Sequence, residues 1–297
     1  MQKTDFNYEI LIGEDCSTDN TRKIVENYVD LYPEKVKLIT SEKNVGARKN
    51  LQRLFENSQG KYIAVCEGDD YWTDPNKLQQ QVHYMEKHSD CSMCFHASEI
   101  LQANKRKSGM IIRPYNEDKV SPIEDIIAGG GGFCPTGSLF YPKELLKDIP
   151  TFYREAHVGD YPLQLILSSK GYVYFMKRCM SVYRIGVEGS WTNRMFKKES
   201  IKENMINILQ GDIVLLNEFN KFTNNKNVQV IEKNILIKEY EILLIRRKTE
   251  ELNNIKFDTI KKIQRLKIYI RCYFPEIYKK VIWSKLCINR IVYSFYK

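Results

Sequence analysis

Glu67, Asp69 and Asp70 crowd into one short run, Glu67-Gly68-Asp69-Asp70-Tyr71-Trp72. Two or three carboxylates on a tight turn offer hard oxygen ligands, and Mg²⁺ or Mn²⁺ held that way keeps open positions for substrate phosphates. The same run also reads as a solvated acidic turn capping the helix behind it. A second acidic pair, Glu14-Asp15, lies upstream, and a lone Asp160 lies downstream in Gly159-Asp160-Tyr161-Pro162-Leu163. No His, Cys or Ser constellation competes with these carboxylates. His83, His88, His96 and His157 share no spacing that suggests a triad or a metal site.

The elements around these residues alternate strand and helix through the first half, the pattern of an α/β sheet. An apolar run at 8–13 ends in Glu14 and Asp15. Ser17, Asp19 or Asn20 then caps a helix whose Ile24, Val25, Tyr28, Val29 and Tyr32 follow the 3.6 period, closed by Pro33. A strand is predicted at 36–40, a helix through Ala47, Leu51, Leu54 and Phe55, and a third strand at 61–66 running into Glu67. Asp74 as cap and Pro75 in the first turn start another helix. Acidic clusters thus fall at the carboxyl ends of two strands, the edge where open α/β sheets bind ligands.

Beyond residue 98 the periodicity weakens. A basic turn at Lys105-Arg106-Lys107 and a glycine loop at 129–132 precede a helix at 161–169 and two strand-like runs, 172–176 and 180–184. The four glycines lack the Gly-Lys-Ser/Thr ending of a P-loop, which leaves a loop under a substrate or a plain connector. After residue 194 the chain reads as helical. Ile260, Ile263, Leu266, Ile270 and Tyr273 form one apolar stripe, and Ile277, Val281, Ile288, Val292 and Phe295 another.

The 297-residue chain carries a formal net charge of +9, and residues 256–297 hold eleven basic against two acidic side chains, which accounts for all of it. The body has no global pull on nucleic acid or lipid; the basic tail does. No apolar run reaches the length of a membrane span, and the first residues lack a secretory h-region, so a cytoplasmic chain is expected. Of eight cysteines, only Cys91-Ser92-Met93-Cys94 forms a CxxC, without the further ligands a zinc site needs.

Three segments in order, Glu9-Ile10-Leu11-Ile12-Gly13-Glu14-Asp15-Cys16-Ser17-Thr18-Asp19-Asn20-Thr21, then Asn44-Val45-Gly46-Ala47-Arg48-Lys49-Asn50, then Gly60-Lys61-Tyr62-Ile63-Ala64-Val65 with the acidic run, resemble the nucleotide-binding half of the family 2 glycosyltransferases. These are inverting enzymes of the GT-A fold. The segments at 159–163 and Ser181-Val182-Tyr183-Arg184 resemble the acceptor-side motif of members that build bacterial surface polysaccharides. The resemblance spans about residues 5–192.

It implies a GT-A mixed α/β sheet over 1–194 followed by a basic helical region at 195–297. It implies transfer of a sugar from a nucleotide-diphosphate donor, UDP-linked by expectation, to a saccharide or lipid-linked acceptor. Asp15, with Glu14 beside it, is expected at the base or ribose. Arg48, Glu67 and Asp70 are expected around the donor, Asp69 as ligand to Mn²⁺ or Mg²⁺, and Asp160 as general base. Asp160 also reads as a helix cap and Arg48 as a solvated helix residue. The resemblance further implies that an initial strand and helix of the family, including a strand inside the sheet, are absent ahead of Tyr8. Ile185 and Gly186 follow Arg184 where many relatives carry a histidine. A non-catalytic nucleotide-sugar-binding or scaffold remnant is the alternative. For the transferase the basic tail is expected to rest on the inner membrane face, and it also reads as a packing helix pair with a solvated basic face. Nucleic-acid binding is not expected.

Overall fold

The computed structural model describes residues 1–103, 107–195, 200–253 and 255–274. The second tail stripe, from Ile277 onward, and Lys105-Arg106 lie outside them. Strand β1 (Ile10–Gly13), helix α1 (Thr21–Leu31), strand β2 (Val36–Ile39), helix α2 (Ala47–Asn57) and strand β3 (Tyr62–Ala64) follow the predicted alternation. Then come β4 (Tyr71–Trp72), α3 (Lys77–Lys87), β5 (Cys91–Gln102), β6 (Lys107–Ile112), β7 (Lys119–Ser121), α4 (Ile123–Gly129) and β8 (Phe140–Pro142). Helices α5 (Thr151–Glu155) and α6 (Asp160–Lys170) lead into β9 (Tyr172–Ile185), and α7 (Trp191–Met195), α8 (Ile201–Phe222), α9 (Val228–Ile245) and α10 (Lys262–Tyr273) complete the described chain.

Strand β5 forms the spine. It pairs in parallel with β9 from Cys91↔Tyr172 to Gln102↔Ile185 and antiparallel with β8, which in turn pairs antiparallel with β3. Successive side chains on β5 point to opposite faces. Met93 and Phe95 enter the main core with Leu139, Tyr141, Leu165 and Phe175, while Cys94 enters a second core with Leu78, Met85, Phe140 and Met180. Both faces are covered, so β5 reads as a continuous apolar run rather than an alternating one. Cys91 and Cys94 are packing residues in those layers, and burial pushes the Cys91 thiol up to about 12.

Two expectations are corrected. The strand-like runs at 172–176 and 180–184 are one strand: Lys177 and Arg178 are exposed and break the apolar pattern, but the backbone stays extended, with a register shift against β5 between His96 and Ala97. The helix after the acidic turn begins at Lys77 with Asn76 as cap. Asp74 instead accepts the Asn76 N–H at 2.8 Å and pairs with Arg178 at 2.6 Å, so its carboxylate serves the turn ahead of the helix.

Strands β1 and β2 form a separate parallel pair, not hydrogen-bonded to the seven-stranded sheet among the described residues. The N–H groups of Ile10 and Glu14 reach Lys35 and Ile39 on the β2 side. Those of Leu11 and Gly13 therefore face the other way. By the same alternation Tyr62 and Ala64 on β3 face away from β8. Both open edges line one cavity of about 2780 Å³. Asn50 closes part of the seam: its Nδ2 donates to Gly13 O at 2.8 Å, so close that a Cβ on Gly13 would meet its side chain at 2.7 Å.

Candidate active site

The carboxyl ends of β1 and β3 deliver the two acidic groups to different tasks. Glu14 is buried, accepting the Ser17 N–H at 2.5 Å and the Thr40 hydroxyl at 3.1 Å. The Ser17 bond is the main reason its carboxyl is held below the usual range, outweighing burial. Asp15 receives Val45 N–H and Gly46 N–H at 2.8 Å, one on each carboxylate oxygen, while its own carbonyl accepts from Asn44 Nδ2. The Glu14-Asp15 and Asn44-Val45-Gly46 motifs therefore lock to each other. Gly46 sits at φ +85° as the cap of α2, a left-handed conformation that suits glycine. Glu14, Asp15 and Asp69 stand outside the lining of the large cavity, while Glu67 and Asp70 are part of it.

Arg48, in the first turn of α2, is not a solvated residue. Its guanidinium donates to the main-chain carbonyls of Tyr153 and Ala156 and reaches Val158 O at 3.4 Å. It ties α2 to the segment that ends in Gly159-Asp160. That segment would otherwise leave the carbonyls at the end of α5 without partners.

The acidic turn is compact. Glu67, Asp69 and Asp70 each bring a carboxylate oxygen within 4.8 Å of the others. Arg184 braces it, donating its main-chain N–H to Asp70 Oδ1 at 2.8 Å and its Nε–H to Asp69 O. Desolvation and then the charges of Asp160, Asp70 and Asp69 push Glu67 up to about 8. Glu67 is open by surface area, so the three like charges are the sturdier of those causes. Desolvation pushes Asp70 up to about 7, against the Arg184 N–H bond and with the Asp69 charge. Carboxylates that resist ionising together, on hard oxygen donors, fit a divalent cation.

Asp160 opens α6, with Gly159 as the cap residue. Its Oδ1 accepts the Tyr161 N–H at 2.8 Å and its Oδ2 the Thr136 hydroxyl at 3.3 Å. Burial raises its pKa above the usual carboxylate range, which those bonds only partly offset. The glycine loop stands beside it: a Cβ on Gly131 would lie 3.5 Å from Asp160 Oδ1. Glu67, Asp70, Arg48, Thr136 and Asp160 line the same cavity, as do His157, Asp212 and Lys238, and the Asp212 charge adds to the upward shift at Asp160. There Asp212 holds His157 at 3.1 Å and Lys238 at 2.6 Å.

The structure thus brings the acidic turn and Asp160 together and assigns Asp15 to the loop that holds α2. It adds Arg184, Thr136 and Gly131. Gly131 belongs to the glycine loop that the sequence marks as a loop under a substrate or a connector; Arg184 lies in the 181–184 segment with no role legible there, and Thr136 carries no local signal, because its relation to Asp160 is made only by folding.

The family model for glycosyl transferase family 2 matches residues 1–149, half of the chain. The chain belongs to glycosyl transferase family 2. Among curated relatives, an uncharacterized protein of Mycobacterium tuberculosis (strain H37Rv) is 31% identical over 191 residues, 64% of this chain and 54% of the relative. The chain therefore spans about half the length of that relative. The putative teichuronic acid biosynthesis glycosyltransferase TuaG of Bacillus subtilis is 27% identical over 180 residues, 60% of this chain and 68% of TuaG. A UDP-Glc:alpha-D-GlcNAc-diphosphoundecaprenol beta-1,3-glucosyltransferase of Escherichia coli, WfgD, is 33% identical over 104 residues, 35% of this chain and 39% of WfgD. The crystal structure of S. aureus TarS 1-349 superposes with a TM-score of 0.52 at 16% identity, covering 92% of this chain and 75% of that one. The family 2 chain therefore has the GT-A fold, with glycosyltransferase relatives in polysaccharide biosynthesis.

Proposed function

We propose that this family 2 chain transfers a sugar, with inversion, from a nucleotide-diphosphate donor to a saccharide or lipid-linked acceptor in cell-surface polysaccharide biosynthesis. The observation that carries the reading is the Thr136–Ser138 turn seated between the acidic turn and Asp160: Thr136 donates to Asp160 at 3.3 Å, and a Cβ on Gly137 would lie 3.7 Å from Asp70 Oδ2. A UDP-linked donor is the favoured choice, since WfgD, named for a UDP-glucose donor and a lipid-diphosphate acceptor, is among the relatives.

In this reading Asp160 accepts the proton of the acceptor hydroxyl as that oxygen attacks the anomeric carbon. Its raised pKa makes it a stronger base than a solvated carboxylate, and Thr136 and the Tyr161 N–H fix its orientation. The attack comes from the face opposite the leaving nucleoside diphosphate, hence inversion. Mn²⁺ or Mg²⁺ on Glu67, Asp69 and Asp70, with Asp69 as principal ligand, would offset negative charge on the departing diphosphate. Arg184 holds those carboxylates on their turn, and Arg48 holds the segment before Asp160.

Helix α10 supports an association with the inner membrane face. Ile263 and Leu266 are exposed beside Lys262 and Lys267, an apolar strip with basic flanks that suits an anionic lipid surface. No helix among the described residues is long and apolar enough to cross a membrane.

A second reading, donor binding without turnover, is favoured by the open edges of β1 and β3, which leave the donor-side wall unbraced. Incubation of the purified chain with UDP-sugars, Mn²⁺ and saccharide or polyprenyl-diphosphate acceptors separates the two. Release of UDP with an acceptor product of inverted anomeric configuration supports transfer. Donor binding by calorimetry with no product supports the second reading, and retained configuration refutes the role given to Asp160.

A further inference from the structure

Lys77 is the one fully buried lysine among the described residues, and no carboxylate pairs with it there, a costly placement unless other groups satisfy its side chain. Its Nζ stands 4.0 Å over the centroid of the Trp72 ring and donates to Gln81 Oε1 at 2.7 Å. Each contact continues in the same direction. Trp72 Nε1–H donates to Gly137 O at 2.8 Å, and Gln81 Nε2–H donates to Ser138 O at 3.0 Å. Both lines of contact end on one helical turn, Thr136–Ser138. Ser138 Oγ closes that turn on Pro135 O at 2.6 Å.

The turn borders both halves of the proposed centre. Thr136 donates to Asp160, and Gly137 lies so near the acidic turn that a Cβ there would meet Asp70 Oδ2 at 3.7 Å. Trp72 itself is two residues past Asp70 and pairs with Ser181 on β9, the strand that delivers Arg184. Burial lowers the Lys77 ammonium to about 7, and this one buried amine touches the ring and the amide that both reach the Thr136–Ser138 turn.

We infer that Lys77 is a positioning residue for sugar transfer, acting through Trp72 and Gln81 to hold the Thr136–Ser138 turn between Asp70 and Asp160. The inference rests on the proposed role of Asp160. The amine is suited to the task because it meets an aromatic face and donates to an amide oxygen at once, which an apolar side chain of similar length does not. Its action is on geometry: small displacements of a base relative to the reacting atoms cost rate far more than they cost binding.

The test uses the full chain with Mn²⁺, a UDP-sugar and its acceptor. Lys77→Met and Trp72→Phe should each lower kcat by about ten-fold or more while the donor KM moves by less than about three-fold. Phenylalanine keeps a ring beneath Nζ but loses the bond to Gly137. The double variant should be no worse than the poorer single one, since both act along one line of contact. Independently of turnover, hydrogen exchange at the Trp72 indole N–H should quicken about ten-fold in Lys77→Met. Should Lys77→Met fail to fold by circular dichroism, Trp72→Phe alone decides. Unchanged kcat in a folded variant, losses that add in the double variant, a loss confined to donor KM, or an unaltered indole exchange rate overturns the inference. Asp160→Asn runs beside them. Full activity in that variant removes the base reading itself, whereas its inactivity with wild-type rates for Lys77→Met and Trp72→Phe removes only the positioning role.

Discussion

Arg48 offers a sharp contrast between two roles, because its guanidinium is committed to carbonyls rather than to the cavity. Replacing it by Met removes charge-assisted bonds to Tyr153 O and Ala156 O and the longer one to Val158 O. Bonds to charged donors contribute about 1.5–3 kcal/mol each, but these carbonyls are only partly buried and regain some water when released. A net loss of about 2–4 kcal/mol follows, or roughly 5–10 °C in Tm for a chain of this size. The released segment runs directly into Gly159-Asp160, so the base loses its register. A misplacement of about 1 Å costs on the order of 100-fold in kcat. Donor affinity should stay within about two-fold, since the acidic turn is braced separately by Arg184. Arg48→Lys should recover only part of the stability, because one ammonium lacks the fork that serves two carbonyls. Thermal melts, donor calorimetry and steady-state rates on the same preparations make the measurement. A large fall in donor affinity with an unchanged Tm refutes the clamp and restores a direct nucleotide contact.

Three further expectations rest on other parts of the site. Glu67 and Asp70, pushed up to about 8 and about 7, hold protons in the folded chain where an unfolded chain has lost them. Stability of the metal-free chain should therefore fall as pH rises from about 4 to about 8, and Mn²⁺ should restore it. Across the same carboxyls, Mn²⁺ uptake should displace close to two protons at about pH 6 and fewer than one above about pH 8, so affinity rises roughly 50-fold between pH 6 and 7; affinity flat across that interval refutes a shared carboxylate site. Leu266→Glu with Ile263→Glu should abolish sedimentation with vesicles of anionic phospholipid but leave solution activity intact. Equal sedimentation of variant and parent removes α10 from any membrane contact.

Much of the architecture is legible in the sequence because it rests on local rules. The 3.6-residue period of Ile24, Val25 and Tyr28 marks α1, and the apolar runs around Ile63 and Val173 mark strands whose two faces meet the two cores. The acidic turn is legible for the same reason, since its three carboxylates are neighbours in sequence. What pattern does not show is which partner a side chain finds across the fold. The sequence does not show that the Asp15 oxygens hold the N–H groups of Val45 and Gly46, about thirty residues away. Arg48 looks solvated until its carbonyl partners, more than one hundred residues on, are placed. Thr136 has no distinguishing neighbour and acquires meaning only through Asp160. The merger of two strand-like runs into β9 belongs to the same class, because Lys177 and Arg178 break the hydropathy pattern without breaking the backbone.

The central claim is that Asp160 and the Glu67–Asp70 turn work as base and cation site of one centre. Asp160→Asn tests it most directly, with donor binding followed by calorimetry in Mn²⁺ and product followed by nucleoside diphosphate release. Asparagine keeps the size and an acceptor for Thr136 but cannot take a proton. The predicted result is a loss of transfer of about 1000-fold or more with donor affinity changed by less than about three-fold. Transfer at the wild-type rate in a variant that binds donor normally contradicts the account.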